Sequence, residues 1–200
     1  MPQEFAIRFD ENSDDLERVW MQEWTQLGRE SLFQNPVLGL VTESIRTQSG
    51  HETDWTVVEI GDGVAVLPVD DDGNVHLIYQ YRHAVKERVW ELPAGRVEPS
   101  ESNVNAGRRE LAEEAGLGAS KMQALGFIWP LDGVCRHRVH LYIARGLTRC
   151  NTAHETFESM ESRLFTPIEL HAMVMNGQLR CGIALAALAR AGFPWSEDSP

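Results

Sequence analysis

The sequence predicts an α/β (α+β) fold in which a mixed β-sheet is sandwiched between helices in an α/β/α arrangement. Two observations carry this prediction. Short apolar or alternating runs bounded by turn residues are typical of strands, and they occupy residues 37–46, 55–60, 64–69, 75–81, 124–129, 139–144 and 163–166. Segments with helical spacing of apolar residues lie among these runs, at residues 13–27, 100–115, 167–176 and 181–191. Strands interspersed with helices favour helices packed on a sheet.

The N-terminal part is predicted to contain a helix followed by a β-hairpin. Apolar residues recur at helical spacing from residue 13, and they include Trp24 and Leu27, which we expect to pack in a core. Gly28 then breaks the pattern. Two strands follow, at residues 37–46 and 55–60, and Ser49-Gly50 predicts the turn between them.

An acidic turn at residues 70–74 joins the next two predicted strands. Three aspartates before Gly73 are compatible with the start of a calcium-binding loop. The distal glutamate of such a loop is missing, so we interpret the segment as a hairpin turn.

Composition and charge exclude several classes of protein. The formal net charge of −12 argues against a nucleic-acid partner. The three cysteines show no CxxC spacing, which argues against a disulfide framework or a zinc site and favours the cytoplasm. No apolar run reaches the ~18 residues of a membrane span, and the N-terminus lacks the pattern of a signal peptide.

The stretch from Gly95 to Leu117 carries the chemistry. Its second half reads as a helix that Gly116 ends, and on this helix Glu110 and Glu114 share a face, with Glu113 beside them. Like charges at this spacing repel one another, and no lysine follows at the right spacing to offset them. Grouped carboxylates suit Mg²⁺ or Mn²⁺; a solvated acidic helix face is the alternative for an isolated motif of this kind.

The complete stretch resembles a known family signature. It matches G-x5-E-x7-R-E-U-x-E-E-x-G-U, where U is apolar, and the chance of this pattern in one window is on the order of 10⁻⁹. The pattern resembles the signature of the Nudix hydrolases. Residues 90–95 (WELPAG), with residues 80–82 (QYR) upstream and Pro130 downstream, resemble the ADP-ribose pyrophosphatase branch. The resemblance implies a Nudix domain at residues 55–194, preceded by an extension with the helix and a dimerisation hairpin at residues 1–54.

The resemblance also implies the residues of a metal site. Glu110 and Glu114 would be the principal ligands of Mg²⁺ or Mn²⁺, with Glu113 as a further ligand and the backbone carbonyl of Ala94 completing the set. Arg109 would orient the glutamates and is counted, with Glu113 and Glu114, among the catalytic residues.

Four further residues are predicted to contact the substrate. Arg82 and Glu91 belong to the branch motifs, and Arg82 would contact the diphosphate. Trp55 would stack on the adenine from a hairpin that is exchanged in a homodimer, although a tryptophan packed in the dimer interface is the alternative. Arg136 lies in a basic segment, residues 136–138, where the branch often has an acidic residue. It would bind a phosphate or ribose hydroxyls, or lie on a solvated strand edge.

The general base is expected in the segment before residue 163. The resemblance places a glutamate there, and we favour Glu158, with Glu161 second and Glu155 also possible. Solvated loop carboxylates are the alternative.

The sequence therefore predicts a cytoplasmic Mg²⁺- or Mn²⁺-dependent hydrolase that acts on a small nucleoside diphosphate. The expected reaction converts ADP-ribose to AMP and ribose 5-phosphate. Another nucleoside diphosphate sugar, such as GDP-mannose, is the first alternative substrate. A non-catalytic ADP-ribose-binding domain is the second alternative.

Overall fold

The computed structural model describes residues 24–150 and 160–193. The chain forms two compact units. The N-terminal unit comprises the residues up to Ile60 together with Gly133–Arg136. The C-terminal unit comprises Gly61–Asp132 and the residues from His137 onwards.

The N-terminal unit is a four-stranded sheet in the order β1-β2-β3-β9. Its strands are β1 (Trp24–Gln34), β2 (Leu38–Thr47), β3 (Glu52–Ile60) and β9 (Cys135–Arg136). The predicted hairpin is present as β2 and β3, and its turn contains Gly50 at a φ of 82°, where the backbone favours glycine. The predicted boundary between residues 54 and 55 falls inside β3.

The prediction that the N-terminal helix continues to residue 27 is wrong. Trp24 and Leu27 lie in β1, which pairs antiparallel with β2 from Trp24 to Gln34. This pairing supplies the backbone hydrogen bonds of the segment and overrides the helical spacing of its apolar residues. Residues 13–23 of the predicted helix lie outside the described residues.

The C-terminal unit contains two sheets and the three helices of the described chain. Its strands are β4 (Gly63–Pro68), β5 (Val75–Arg82), β6 (Glu87–Glu91), β7 (Ala94–Arg96), β8 (Leu117–Ile128), β10 (Val139–Arg149) and β11 (Glu161–Phe165). Its helices are α1 (Asn103–Ala115), α2 (Pro167–Met175) and α3 (Gly182–Arg190). One sheet has the order β7-β4-β10-β8, and the other has the order β11-β5-β6. Because β4 and β10 are parallel and the other pairs are antiparallel, the larger sheet is mixed.

Helices cover both faces of the larger sheet. Alternate residues of a strand point to opposite faces, and the fully buried strand β4 divides its side chains accordingly. Leu67 packs in a cluster with Leu170 of α2 and Leu188 of α3. Val66 packs instead with Leu111 of α1. The predicted fold class, a mixed sheet between helices, is confirmed.

The acidic segment between β4 and β5 forms a tight turn. The Asp70 carboxylate accepts hydrogen bonds from the amides of Asp72 at 3.0 Å and Asn74 at 2.8 Å. Gly73 has a φ of 82°. The segment is therefore a turn, as predicted, although the strands that it joins belong to different sheets. Over residues 24–150 and 160–193, every helix is too short or too polar to cross a lipid bilayer.

Candidate active site

Helix α1 is held at both ends and packed closely along one side. The Ser102 side chain caps its start by accepting a hydrogen bond from the Asn105 amide at 3.4 Å. Gly116 ends the helix with a φ of 66°, as predicted. Gly107 lets the helix approach β4, since a Cβ at this position would lie 3.2 Å from the Val66 side chain. This packing sets the rotation of the helix and so the directions of its carboxylates.

Glu110 lies on the buried side of α1, against strand β7. The residue is only 8% exposed. A methyl group on Gly95 would overlap the Glu110 carboxylate, so only glycine permits this approach. Burial raises the pKa of the Glu110 carboxyl, and the hydrogen bond from Arg109 opposes that rise. The site thus contains a poorly solvated carboxylate whose charge a cation would stabilise.

One guanidinium contacts three carboxylates. Nη1 of Arg109 donates to Glu110 at 2.7 Å and to Glu113 at 3.1 Å. Nε and Nη2 donate to Glu101 at 3.2 Å and 3.0 Å. These acceptors, Glu101 first, raise the pKa of Arg109. No lysine lies at the right spacing, but the long Arg109 side chain reaches carboxylates on both sides of its own position in the chain. It still balances only one of the three negative charges.

Glu114 contacts the strand that contains the predicted carbonyl ligand. Its Oε2 accepts a hydrogen bond from the Ala94 amide at 2.7 Å. Ala94 begins β7, where it pairs with Ala65 of β4. Glu114 is therefore held beside the Ala94–Gly95 backbone, the same short segment against which Glu110 packs. Four predicted metal-binding residues belong to these two neighbouring elements.

The chemistry of this donor set fits a hard divalent cation. Carboxylate and carbonyl oxygens with a surplus of negative charge are the ligands that Mg²⁺ and Mn²⁺ prefer. Within the described ranges, no three acidic, histidine or cysteine side chains converge as a ready-made metal cage. Instead, Glu110 and Glu113 face Arg109, and Glu114 faces the Ala94 amide. A cation would compete with these partners for the carboxylates.

Arg82 and Glu91 form a pair on one face of β5 and β6. Arg82 donates from Nε at 2.9 Å and from Nη2 at 2.8 Å to the same oxygen of Glu91. Buried Gln80 also donates to that oxygen at 3.0 Å. Ile78 of β5 is paired with Glu91, and residues two apart in a strand point the same way. The two predicted substrate residues therefore share a face, with the Arg82 side chain 42% exposed.

Trp55 presents its ring on the N-terminal unit beside a second tryptophan. Trp55 is 43% exposed, and Trp24 is 48% exposed. Their ring centroids are 5.5 Å apart, with an angle of 64° between the planes. The expectation that Trp24 packs in a core was wrong because the residue lies in β1 and not in a helix. Trp24 is therefore a second candidate for an aromatic substrate contact, and the helical spacing of its segment did not indicate this role.

Arg136 is held within the N-terminal unit by two glutamates. It donates to both oxygens of Glu43, at 2.9 Å and 2.6 Å, and to Glu59 at 2.9 Å. Glu43 is only 5% exposed. Hydrogen bonding to Glu43 raises the pKa of Arg136. These contacts tie β9 to β2 and β3 and account for the Arg136 charge without a ligand, so its role as a substrate contact stays a prediction.

The rest of the basic segment also has partners. In the C-terminal unit, Arg138 contacts the Asp62 carboxylate at 3.2 Å. A ring nitrogen of His137 lies 2.7 Å from the carbonyl oxygen of Gly61. All three residues of the basic segment therefore make contacts within their own units.

The candidates for the general base have different positions. Glu155 and Glu158 lie outside the described residues, so the preference for Glu158 stays a prediction. Glu161 begins β11, where it pairs with Tyr79 of β5. Tyr79 points to the face of β5 opposite to Arg82, because the two residues are an odd number apart. The structure therefore disfavours Glu161 as a base beside Arg82.

Comparisons with known proteins agree with this geometry. The family model of the NUDIX domain matches residues 59–181. The ADP-ribose pyrophosphatase of Mycobacterium tuberculosis is 32% identical over 165 residues, which are 81% of this chain and 80% of the relative. The ADP-ribose pyrophosphatase of Bacillus subtilis is 29% identical over 122 residues, which are 61% of this chain and 66% of the relative.

A solved structure shows the same fold. The crystal structure of an ADP compounds hydrolase superposes with a TM-score of 0.77, covering 86% of this chain and 93% of that one at 18% identity. Since the family model spans more than half of the chain and contains the whole signature, the predicted family is confirmed. The chain therefore belongs to the NUDIX family, and it is a Nudix pyrophosphohydrolase with ADP-ribose pyrophosphatases among its relatives.

Proposed function

We propose that this chain hydrolyses ADP-ribose to AMP and ribose 5-phosphate with Mg²⁺ or Mn²⁺ bound. The observation that carries the proposal is that Glu110 and Glu114 both lie against the Ala94–Gly95 segment, while Arg109 contacts Glu110 and Glu113. Two relatives named ADP-ribose pyrophosphatase support the choice of substrate.

The three carboxylates and the Ala94 carbonyl would hold the cation. Bound there, a divalent cation supplies positive charge to the diphosphate oxygens and lowers the pKa of the attacking water. The chain has a formal net charge of −12, so an anionic substrate gains from this local positive charge.

The side chains of the protein orient the reacting groups. Arg109 holds Glu110 and Glu113 in place, and Arg82, fixed by Glu91, offers guanidinium donors to the diphosphate. The water oxygen forms a bond to one phosphorus atom while the bond from that phosphorus to the bridging oxygen breaks. Glu158 accepts a proton from the water, and the bridging oxygen leaves as part of the second phosphate.

The N-terminal extension, residues 1–54, would act in dimerisation and in recognition of the adenine, while residues 55–194 form the Nudix domain. We propose a homodimer because the N-terminal unit exposes a group of large apolar side chains. These residues are Trp24, Leu27, Leu32, Phe33, Val37 and Trp55. The ring of Trp55, with Trp24 against it, would stack on the adenine.

The cytoplasm is the proposed compartment. The cysteines of the described residues, Cys135, Cys150 and Cys181, are all free thiols, which suits a reducing environment.

Release of AMP from ADP-ribose by the purified full chain tests the proposal. The reaction would be followed by chromatography with Mg²⁺, with Mn²⁺ and with EDTA, and GDP-mannose would be supplied in parallel. We expect AMP with either ion, little product with EDTA and slower turnover of GDP-mannose. Absence of AMP with both ions would overturn the proposal, and faster turnover of GDP-mannose would reassign the substrate.

The Trp55→Ala variant tests recognition of the adenine. We expect KM for ADP-ribose to rise about tenfold with little change in kcat, because loss of a stacking contact weakens binding of substrate and transition state alike. Trp129→Ala removes another exposed ring, 55% exposed, and serves as the matched control. An unchanged KM in Trp55→Ala would remove the stacking role.

A further inference from the structure

A cavity in the C-terminal unit is lined by none of the predicted metal-binding residues of that unit and by neither Arg82 nor Glu91. Its cavity has a volume of about 570 Å³, within the range of small-molecule sites. Tyr79 and Trp90 line it, and they are directly paired across β5 and β6. Gln80 and Glu91, the next residues along these strands, point to the other face with Arg82. The smaller sheet therefore separates this cavity from the Arg82–Glu91 pair.

The floor of the cavity is aromatic. The rings of Tyr79 and Trp90 stack with centroids 4.6 Å apart and an interplanar angle of 27°. Phe165 meets Trp90 edge-on at 4.8 Å and 84°. Phe165 is 3% exposed, so it fixes the base of the cluster, while the two larger rings remain partly exposed. Such a rigid aromatic surface favours a planar ligand.

Three arginines surround this floor. Among the described residues that line the cavity, Arg88, Arg163 and Arg180 are the basic ones and Glu169 is the acidic one. The Arg163 guanidinium lies 4.5 Å from the centre of the Phe165 ring, and that of Arg88 lies 5.7 Å from the centre of the Tyr79 ring. Together the three guanidinium groups bring several hydrogen-bond donors to one side of the cavity, and donors of this kind favour an anionic group such as a phosphate.

The arginines have carboxylate partners that a phosphate can replace. Arg163 contacts Glu169 at 3.0 Å, Arg180 contacts Glu87 at 2.6 Å, and Arg88 lies 3.9 Å from Glu161. In all three pairs each side chain is 36% exposed or more. Ion pairs of this kind contribute little to stability. A phosphomonoester carries more charge and more acceptor oxygens than a carboxylate, so it competes well for the same guanidinium groups.

We propose that this cavity binds a nucleoside monophosphate, with its ring against Tyr79 and Trp90 and its phosphate among Arg88, Arg163 and Arg180. The class of ligand follows from the cavity itself. The choice of AMP as the probe rests on the proposed function, of which AMP is a product. The site would let the enzyme bind AMP on the face of β5 and β6 opposite to the diphosphate contacts.

Equilibrium dialysis with labelled AMP tests the site in the full chain with EDTA present. The Arg82→Gln variant serves as the background, because AMP is also expected to bind at the catalytic face. In this background we expect AMP binding to persist. Adding Arg163→Gln and Arg180→Gln should weaken it at least about tenfold, because two charged donors are lost. Arg46→Gln, which removes an arginine with a 49% exposed side chain from a pair with Glu52, is the matched control.

Three results would overturn the proposal. One is loss of AMP binding in Arg82→Gln alone, which would place all binding at the catalytic face. The second is equal AMP binding with and without the two cavity substitutions. The third is binding of inorganic phosphate as tight as that of AMP, which would exclude a role for the aromatic floor. Single Arg163→Gln and Arg180→Gln variants replace the double variant if thermal unfolding shows that it does not fold.

The test does not depend on hydrolysis of ADP-ribose. Arginine-dependent AMP binding in a chain without ADP-ribose hydrolysis would refute the proposed function and leave this site intact. Hydrolysis of ADP-ribose without arginine-dependent AMP binding would refute this site and leave the proposed function intact.

Discussion

Two arginine–carboxylate networks in this chain use the same residue types but differ in charge balance. The α1 cluster consists of Arg109 with Glu101, Glu110 and Glu113. The N-terminal network consists of Arg29 and Arg136 with Glu43 and Glu59. The α1 cluster keeps a surplus of negative charge, whereas the N-terminal network is neutral.

The difference in charge balance between the two networks is visible in the pKa shifts of their carboxyl groups. In the α1 cluster, burial raises the pKa of Glu110 despite its contact with Arg109. In the N-terminal network, the hydrogen bond from Arg29 lowers the pKa of Glu59; burial opposes this effect, and Arg136 adds to it. A carboxylate that remains underneutralised after all protein contacts are counted is a candidate cation ligand. A balanced network is sufficiently explained by its structural contacts.

The largest expected effect is on catalysis in Glu114→Gln. The amide keeps an oxygen that can accept the hydrogen bond from Ala94 but loses the charge that a cation requires. We expect kcat for ADP-ribose to fall about 100-fold or more with the thermal midpoint nearly unchanged. Glu98→Gln, at an exposed acid of the preceding loop, is the control. A fall of less than about tenfold would remove Glu114 from the metal ligands.

Gly95→Ala should also disrupt the α1 cluster. The added methyl group overlaps the Glu110 carboxylate, so the Glu110 side chain has to leave its position or the helix and β7 have to move apart. We expect activity to fall at least about tenfold and the free energy of unfolding to fall by about 1–3 kcal/mol. In Gly61→Ala the new Cβ meets nothing within 4 Å, and this variant should behave like the wild type. Equal behaviour of the two variants would show that the Gly95 contact does not constrain the site.

Arg136→Gln should affect stability and not turnover. The substitution removes a two-pronged contact from buried Glu43. Because the Arg136 side chain is 50% exposed, we expect the free energy of unfolding to fall by only about 1–2 kcal/mol. Urea unfolding and KM would be measured together, with Arg46→Gln as the control. Unchanged stability with a raised KM would instead support the predicted substrate contact.

The smallest effect concerns the pH dependence of Glu59. Its folded-state pKa lies below the ordinary value of 4.5. The stability that it contributes is therefore present above 4.5 and is lost as pH falls through the lowered pKa. Since the pair is near the surface, the contribution should stay below about 1 kcal/mol. The difference in unfolding free energy between wild type and Glu59→Gln should shrink from about pH 6 to about pH 3. If this difference in unfolding free energy stays constant with pH, the charge of Glu59 does not account for its contribution to stability.

The functional helix was predictable because its determinants are local. The cap at Ser102 and the left-handed Gly116 act within one helical turn of their own positions. The positions of Glu110, Glu113 and Glu114 on the helix surface follow from helical spacing alone. The same local rules predicted the turns at Gly50 and at residues 70–74.

The segment at Trp24 shows where local rules fail. Its apolar spacing suits a helix, but pairing with β2 turns residues 24–34 into a strand and exposes Trp24. Local rules also failed to predict the contacts of Arg109 and Arg136. Helical position did not reveal that Arg109 reaches Glu101, and nothing near Arg136 in the chain indicates a contact with Glu43, which lies 93 residues away.

Residue types and their spacing were enough to establish the family, the ends of α1 and the concentration of acids on it, because capping and helical periodicity operate over a few neighbouring residues. Three-dimensional packing decided that Glu110 would be buried against Gly95, that Arg109 would leave the cluster negative, and that Arg136 would be neutralised. Those outcomes depend on which distant backbones and side chains meet, and the energy of a carboxylate depends on its burial and partners.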